Sequence, residues 1–276
     1  MFRLQEAASR SQFSLWPRRV LWAGVVAGML AAPVRVEAAG FVHSPNFIVL
    51  TPPVPSQEAA DVFAKALLDK AEQYRKQIAT EWLGEELPPS IGPVMVNVSF
   101  SNQRDSGLTW AKDRSNRKLH ILFLVTAPEQ MPDGLLAHEM AHCVLATRFP
   151  HPHRLPAWLE EGIASRYDDM QRKAVRQKIV QWFVSTGQWP RLASVLTAES
   201  VHSDDQEAYA LCASVTDLLL ARGDKSTLLR FGQLAEQAGL ERALSQCYGF
   251  RDIAELELAW RSWVTASAQI SRSVAR

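Results

Sequence analysis

The chain divides by the period of its apolar positions. Residues 94–100, VMVNVSF, alternate apolar and polar and predict a half-buried strand. NFIVLT at 46–51 is apolar and β-branched, and KLHILFLVT at 118–126 is the strongest strand text in the chain. LTWAK, within the turn-rich text before it, predicts a short strand. Between the first two strands, 56–83 carries helical periodicity, with Val62, Ala66, Leu67, Ala71 and Tyr74 on one stripe. Ser56 is its N-cap and Gly84 stops it. A helix at 133–148 leads into the Pro-rich connection FPHPHRLP at 149–156, and beyond it the text is almost entirely helical. Helices are predicted at 133–148, 157–169, 170–186, 204–222, 225–238, 240–247 and 251–267. Pro156 suits the first turn of the second. Gly223, Gly239 and Gly249 fall at C-cap positions. The fold class is α+β: a small mixed sheet with one long helix, then a mostly helical C-terminal half.

The N-terminus breaks this pattern. Arg18 and Arg19 precede the apolar run VLWAGVVAGMLAAP, which ends in VRVEAAG. A basic region, a short apolar core and a small-x-small end predict an export signal over 1–38, cleaved before Ala39. A retained anchor is the competing reading. The run is shorter than a spanning helix needs, so no stable membrane span is expected once the signal is removed. The location is then periplasmic or extracellular. Two regions follow, an N-terminal sheet region at 39–130 and the metal-site helices with a helical subdomain at 131–276, together forming one domain.

Charge removes one class of function. The formal net charge is +1. Residues 1–38 carry five Arg and two Glu, which leaves the remainder at about −2. That is no electrostatic footprint for nucleic acid. Three cysteines, Cys143, Cys212 and Cys247, make no disulfide framework. Cys143 and Cys212 lie in apolar helical text as core residues, and a Cys212–Cys247 pair is not expected.

Within 133–148 stands LLAHEMAHCVL. Residues four apart lie on one helical face, so His138 and His142 can aim two imidazole nitrogens at one point. That is two corners of a zinc tetrahedron. Glu139 overhangs the same point, too offset to ligate but well placed over a water there. It can take that water's proton during attack on a carbonyl and pass it to the leaving amine. A buried helix with two His and a Glu on one turn needs partners for all three. The next helix supplies one. In LPAWLEEGIASRY, Glu161 is separated from His142 by 18 residues. Trp158, Leu159, Ile163 and Ala164 would seat this helix on the first, with Gly162 and Ala164 small enough for close approach. Two His and one Glu leave a fourth position open, as in catalytic zinc sites.

His138-Glu139-x-x-His142, the 18-residue gap and WLEEGIA resemble the gluzincin peptidases, which include the thermolysin group and the zinc aminopeptidases. The closest likeness is to small peptidase MA-like domains, extended by EAYALCASVTDLLL at 207–220 and CYGFRDIAELELAWRSW at 247–263. The resemblance covers 118–264 and, more loosely, 41–117. It implies a zincin-like fold, one Zn2+ on His138, His142 and Glu161, Glu139 as general base, and a peptide or protein substrate.

Several positions depart from that pattern. The aminopeptidase stretch Gly-x-Met-Glu-Asn, which holds a substrate's free amine, is absent upstream, so an endopeptidase is expected. Glu160 stands where Asn is usual, as a group beside the metal, a competing ligand or a surface residue. Ser165 stands where thermolysin-like enzymes place an Asp that orients a His, and Asp168 is the substitute. A metzincin site fails, because Leu145 and Arg148 occupy its glycine and histidine positions.

Tyr209 is the candidate oxyanion stabiliser. It falls off the core stripe of Ala208, Leu211, Cys212, Val215 and Leu219, toward the cleft with Ala213. His151 and His153 are expected as a solvated loop pair. His120 is expected on a strand surface, in the strand that would take an extended substrate by β-addition. The competing function is a zincin-fold binding or scaffold module that keeps metal but turns over poorly. Retention of Glu139 favours the enzyme. Oligomeric state leaves no mark in the sequence.

Overall fold

The computed structural model describes residues 40–274, apart from 53–55, 90–92, 103–104, 115–116, 129 and 151–152. The expected export signal and His151 therefore lie outside the described residues. No described helix is long and apolar enough to cross a membrane.

Five strands form one mixed sheet. They are β1 (Gly40–His43), β2 (Phe47–Thr51), β3 (Val94–Phe100), β4 (Ser106–Arg114) and β5 (Arg117–Thr126), in the order β1-β2-β3-β5-β4. β2, β3 and β5 run parallel, while β1 and β4 lie antiparallel at the two edges. The parallel pair β2–β3 requires a crossover. The 27-residue helix α1 (Gln57–Leu83) supplies it. Ser56 caps its start by accepting from Ala59 N–H, and Gly84 ends it in the left-handed region at φ 79°.

One face of the sheet is the core face. Val94, Val96 and Val98 of β3 and Leu122 and Leu124 of β5 are buried on it. His120 is in phase with Leu122 and Leu124 and is buried as well, which corrects its expected place on the strand surface. The expectation that the strand preceding the metal helix receives substrate is also corrected. β5 is hydrogen-bonded to β3 on one side and β4 on the other, so β4 is the outer strand. The long helix differs in phase from its predicted stripe. Leu67 and Ala71 are buried, but Val62 is 65% exposed, and the buried line runs through Ala60, Ala64, Ile78 and Trp82. An alanine-rich helix offers several plausible stripes, and the sheet selects one.

Beside the sheet lies α2 (Asp133–Arg148), buried along most of its length. The helical half follows as α3 (Ala157–Ala164), α4 (Met170–Thr186), α5 (Leu192–Leu196), α6 (Gln206–Arg222), α7 (Lys225–Ala238), α8 (Leu240–Tyr248) and α9 (Ile253–Val274). The short β1 and α5 carry too few residues to show a period and were not predicted.

α3 ends earlier than its periodicity predicts. The chain tightens into a 3₁₀ turn over Ser165–Tyr167 and leaves helical geometry at Asp168, ψ 156°. Asp169 then caps α4 by accepting from Arg172 N–H. This break turns Asp168 back toward α2. Trp158, Leu159, Ile163 and Ala164 are all fully buried. Their partners extend beyond α2: Trp158 meets Phe231 of α7 edge-on at 6.0 Å. Gly162 allows close approach to α6 rather than to α2, because a Cβ there would lie 2.6 Å from the Cys212 carbonyl oxygen. Cys143, Cys212 and Cys247 are free thiols, the first two buried.

Candidate metal centre

α2 carries His138 and His142 one turn apart, and their Nε2 atoms are 3.3 Å from each other. Glu161, from the second turn of α3, brings Oε2 to 3.5 Å from His138 Nε2 and 3.6 Å from His142 Nε2. Four ligands about 2.0–2.1 Å from a tetrahedral ion are separated by roughly 3.3–3.4 Å along each edge. The triangle formed by the three side chains is close to one face of such a tetrahedron. Glu161 Oε2 is also buried without a hydrogen-bond partner. Unsatisfied buried carboxylate oxygens are costly. The donor set fits a divalent cation with nitrogen and oxygen preferences.

The far side of His138 is held in turn. Its Nδ1 lies 3.2 Å from Asp168 Oδ1. Asp168 is itself paired with Arg176 from α4, and Arg172 approaches it at 3.5 Å. Asp168, not Ser165, is therefore the carboxylate placed against the His138 ring. A carboxylate on the non-ligating nitrogen fixes the ring and its tautomer. Burial alone would lower the His138 pKa. The nearby carboxylates of Asp168 and Glu161 outweigh it and lift the pKa to about 10 without a metal. His142 is likewise raised, with Glu161 outweighing burial. Burial alone would raise the Glu161 carboxyl, and the two imidazoles hold it below the usual range instead. A cation binding here displaces a proton from these groups.

Glu139 is buried next to the triangle, against the outer strand. Thr109 of β4 donates its hydroxyl to Glu139 Oε2 at 2.6 Å, and Thr109 Oγ1 also lies 3.2 Å from the Glu139 carbonyl oxygen. At Gly107, two residues earlier, a Cβ would lie 2.5 Å from Glu139 Oε1. That glycine gives the carboxylate its space.

Tyr209 reaches the same region from α6. Its ring lies 5.2 Å from the Arg176 guanidinium carbon. Burial, with the charges of Glu161 and Glu139, raises its pKa, so the phenol keeps its proton. Ala213, expected beside it, instead lines a neighbouring cavity of about 670 Å3 bounded also by Val180 and Trp263. Glu160 is buried in an ion pair with Arg154, 2.5 Å from Nη2 to Oε2. It is neither a member of the triangle nor solvent-facing. His153 is exposed in the connecting loop.

Two residues of this site escaped the sequence. Arg176 reads as one of several cations on an exposed helix, yet it is buried between Asp168 and Tyr209. Thr109 sits in ordinary strand text. Only its two-residue phase from Gly107, on a strand beside a metal helix, hints at it.

In comparison with known families, the sequence model of the Peptidase MA superfamily matches residues 110–266, more than half of the chain. None of the curated proteins compared with the chain matches it.

Proposed function

The chain belongs to the Peptidase MA superfamily, a metallopeptidase-type domain, and on that footing we propose that it is an exported zinc-dependent peptidase cleaving internal peptide bonds. One observation carries the reading: the three donor atoms of His138, His142 and Glu161 converge at tetrahedral spacing with the Glu139 carboxylate beside them. Zinc, when bound, supplies Lewis acidity that polarises the scissile carbonyl and eases deprotonation of water.

The chain's own groups do the rest. Glu139 accepts the proton of the attacking water and delivers it to the leaving amine. Asp168 holds the His138 ring so that Nε2 faces the ion. The Tyr209 phenol donates to the oxygen that gains charge as the carbonyl is attacked. Arg176 holds both Asp168 and the Tyr209 ring, which links the two roles. Internal cleavage is favoured because the sequence upstream of α2 lacks the Gly-x-Met-Glu-Asn stretch with which the zinc aminopeptidases hold a free amine. The outer strand β4 is the sheet edge nearest Glu139 along which an extended peptide can lie.

The test is hydrolysis of a mixed peptide library by the zinc-loaded protein, with products read by mass spectrometry. Cleavage at internal bonds, reduced by about 10²-fold or more in Glu139→Gln at unchanged metal content, supports the reading. Equal turnover by that variant overturns the mechanism. Trimming from one terminus only overturns the endopeptidase assignment.

A further inference from the structure

We propose that Thr109 is a positioning residue that holds the Glu139 carboxylate in the orientation its proton transfers require; this rests on the peptidase reading above. The Thr109 hydroxyl has one proton and two acceptors in reach, both on Glu139. The 2.6 Å distance to Oε2 is in the short range of hydroxyl–carboxylate bonds, so the proton goes there rather than to the carbonyl at 3.2 Å.

The surroundings favour the same assignment. Gly107 closes the other side, since any Cβ there meets both Oε1 and, at 2.8 Å, Cγ of Glu139. The i and i+2 positions of one strand therefore define the place of both carboxylate oxygens. A general base must sit within hydrogen-bond reach of the proton it takes, and a flexible glutamate gains that precision from neighbours. The strand that sets the base is also the outer strand of the sheet, so base position and substrate edge are fixed by one element.

The test compares Thr109→Val, which keeps the shape and removes the hydroxyl, with Thr109→Ser, which restores it; Thr109→Ala replaces the valine variant if that fails to fold. Crystal structures should show the Glu139 carboxylate displaced in T109V and in place in T109S. Zinc content should match wild type in both, because Thr109 touches none of the three donor atoms. With a cleaved peptide, kcat should fall roughly tenfold or more in T109V with KM little changed, and recover in T109S. In a Glu139→Gln background, T109V should lower the residual rate no further. A carboxylate that stays in place in T109V overturns the proposal, as does a rise in KM with unchanged kcat or a T109S variant no better than T109V. A wild-type protein that hydrolyses no peptide overturns the peptidase reading instead, and the crystallographic comparison still decides whether Thr109 holds Glu139.

Discussion

Asp168 Oδ1 lies 3.2 Å from His138 Nδ1, although the two residues are 30 positions apart and belong to different elements. The contact exists because α3 stops at Ala164 and the 3₁₀ turn brings Asp168 back over α2. Removing its charge should therefore act on the metal rather than on substrate. In Asp168→Asn, zinc affinity measured by chelator competition is expected to fall by about 10–100-fold, the scale for such outer partners. Unchanged affinity would mean the contact is structural only.

Tyr209→Phe removes a hydroxyl and keeps the ring on Arg176. If the phenol stabilises the oxyanion, kcat should fall by about 10²-fold or more with zinc content unchanged. A variant with wild-type kcat would reassign Tyr209 to packing.

Gly162 has no room for a side chain against α6. Gly162→Ala should force α3 and α6 apart and cost about 1–3 kcal/mol, visible as a lower melting temperature. Because Glu161 is the next residue, zinc affinity should weaken in the same variant. A normal melting temperature would show that the interface relaxes.

Acid stability has a separate source. Glu81 accepts hydrogen bonds from Lys225 at 2.8 Å and from the Tyr167 hydroxyl at 2.7 Å, tying α1 to α7 and to the turn after α3. Burial alone would raise its carboxyl pKa, and these partners bring it below the ordinary 4.5. A depressed folded pKa gives stability that is present above about pH 4.5 and lost as pH falls through the lower folded value. Thermal melts of Glu81→Gln should therefore lie below wild type near neutrality and converge with it in acid. A constant gap at all pH values would exclude the ionised carboxylate as the cause.

The metal triangle was legible because its information is local. A four-residue spacing on a helix and a glutamate after an 18-residue gap require no knowledge of distant contacts. The strand and helix succession was legible for the same reason, since the alternation of β3, the apolar run of β5 and the helical text of α2, α4 and α7 are all read locally. Thr109 and Arg176 were not, because their roles come from which strand neighbours α2 and which helix neighbours Asp168. The exposed place expected of His120 failed on simple phase, since its alternation with Leu122 and Leu124 puts it inside. Val62 failed because Ala60, Ala64 and Ala71 leave a helix without a single apolar stripe, and only the sheet decides which one is buried.

The proposed function requires that His138, His142 and Glu161 hold one zinc ion. Elemental mass spectrometry of the purified protein, with Glu161→Ala beside it, tests this most directly. The expected result is about one zinc per chain in the wild type and loss or marked weakening in the variant. A wild-type protein that holds no zinc even after reconstitution, or a variant that holds as much as wild type, would contradict the account.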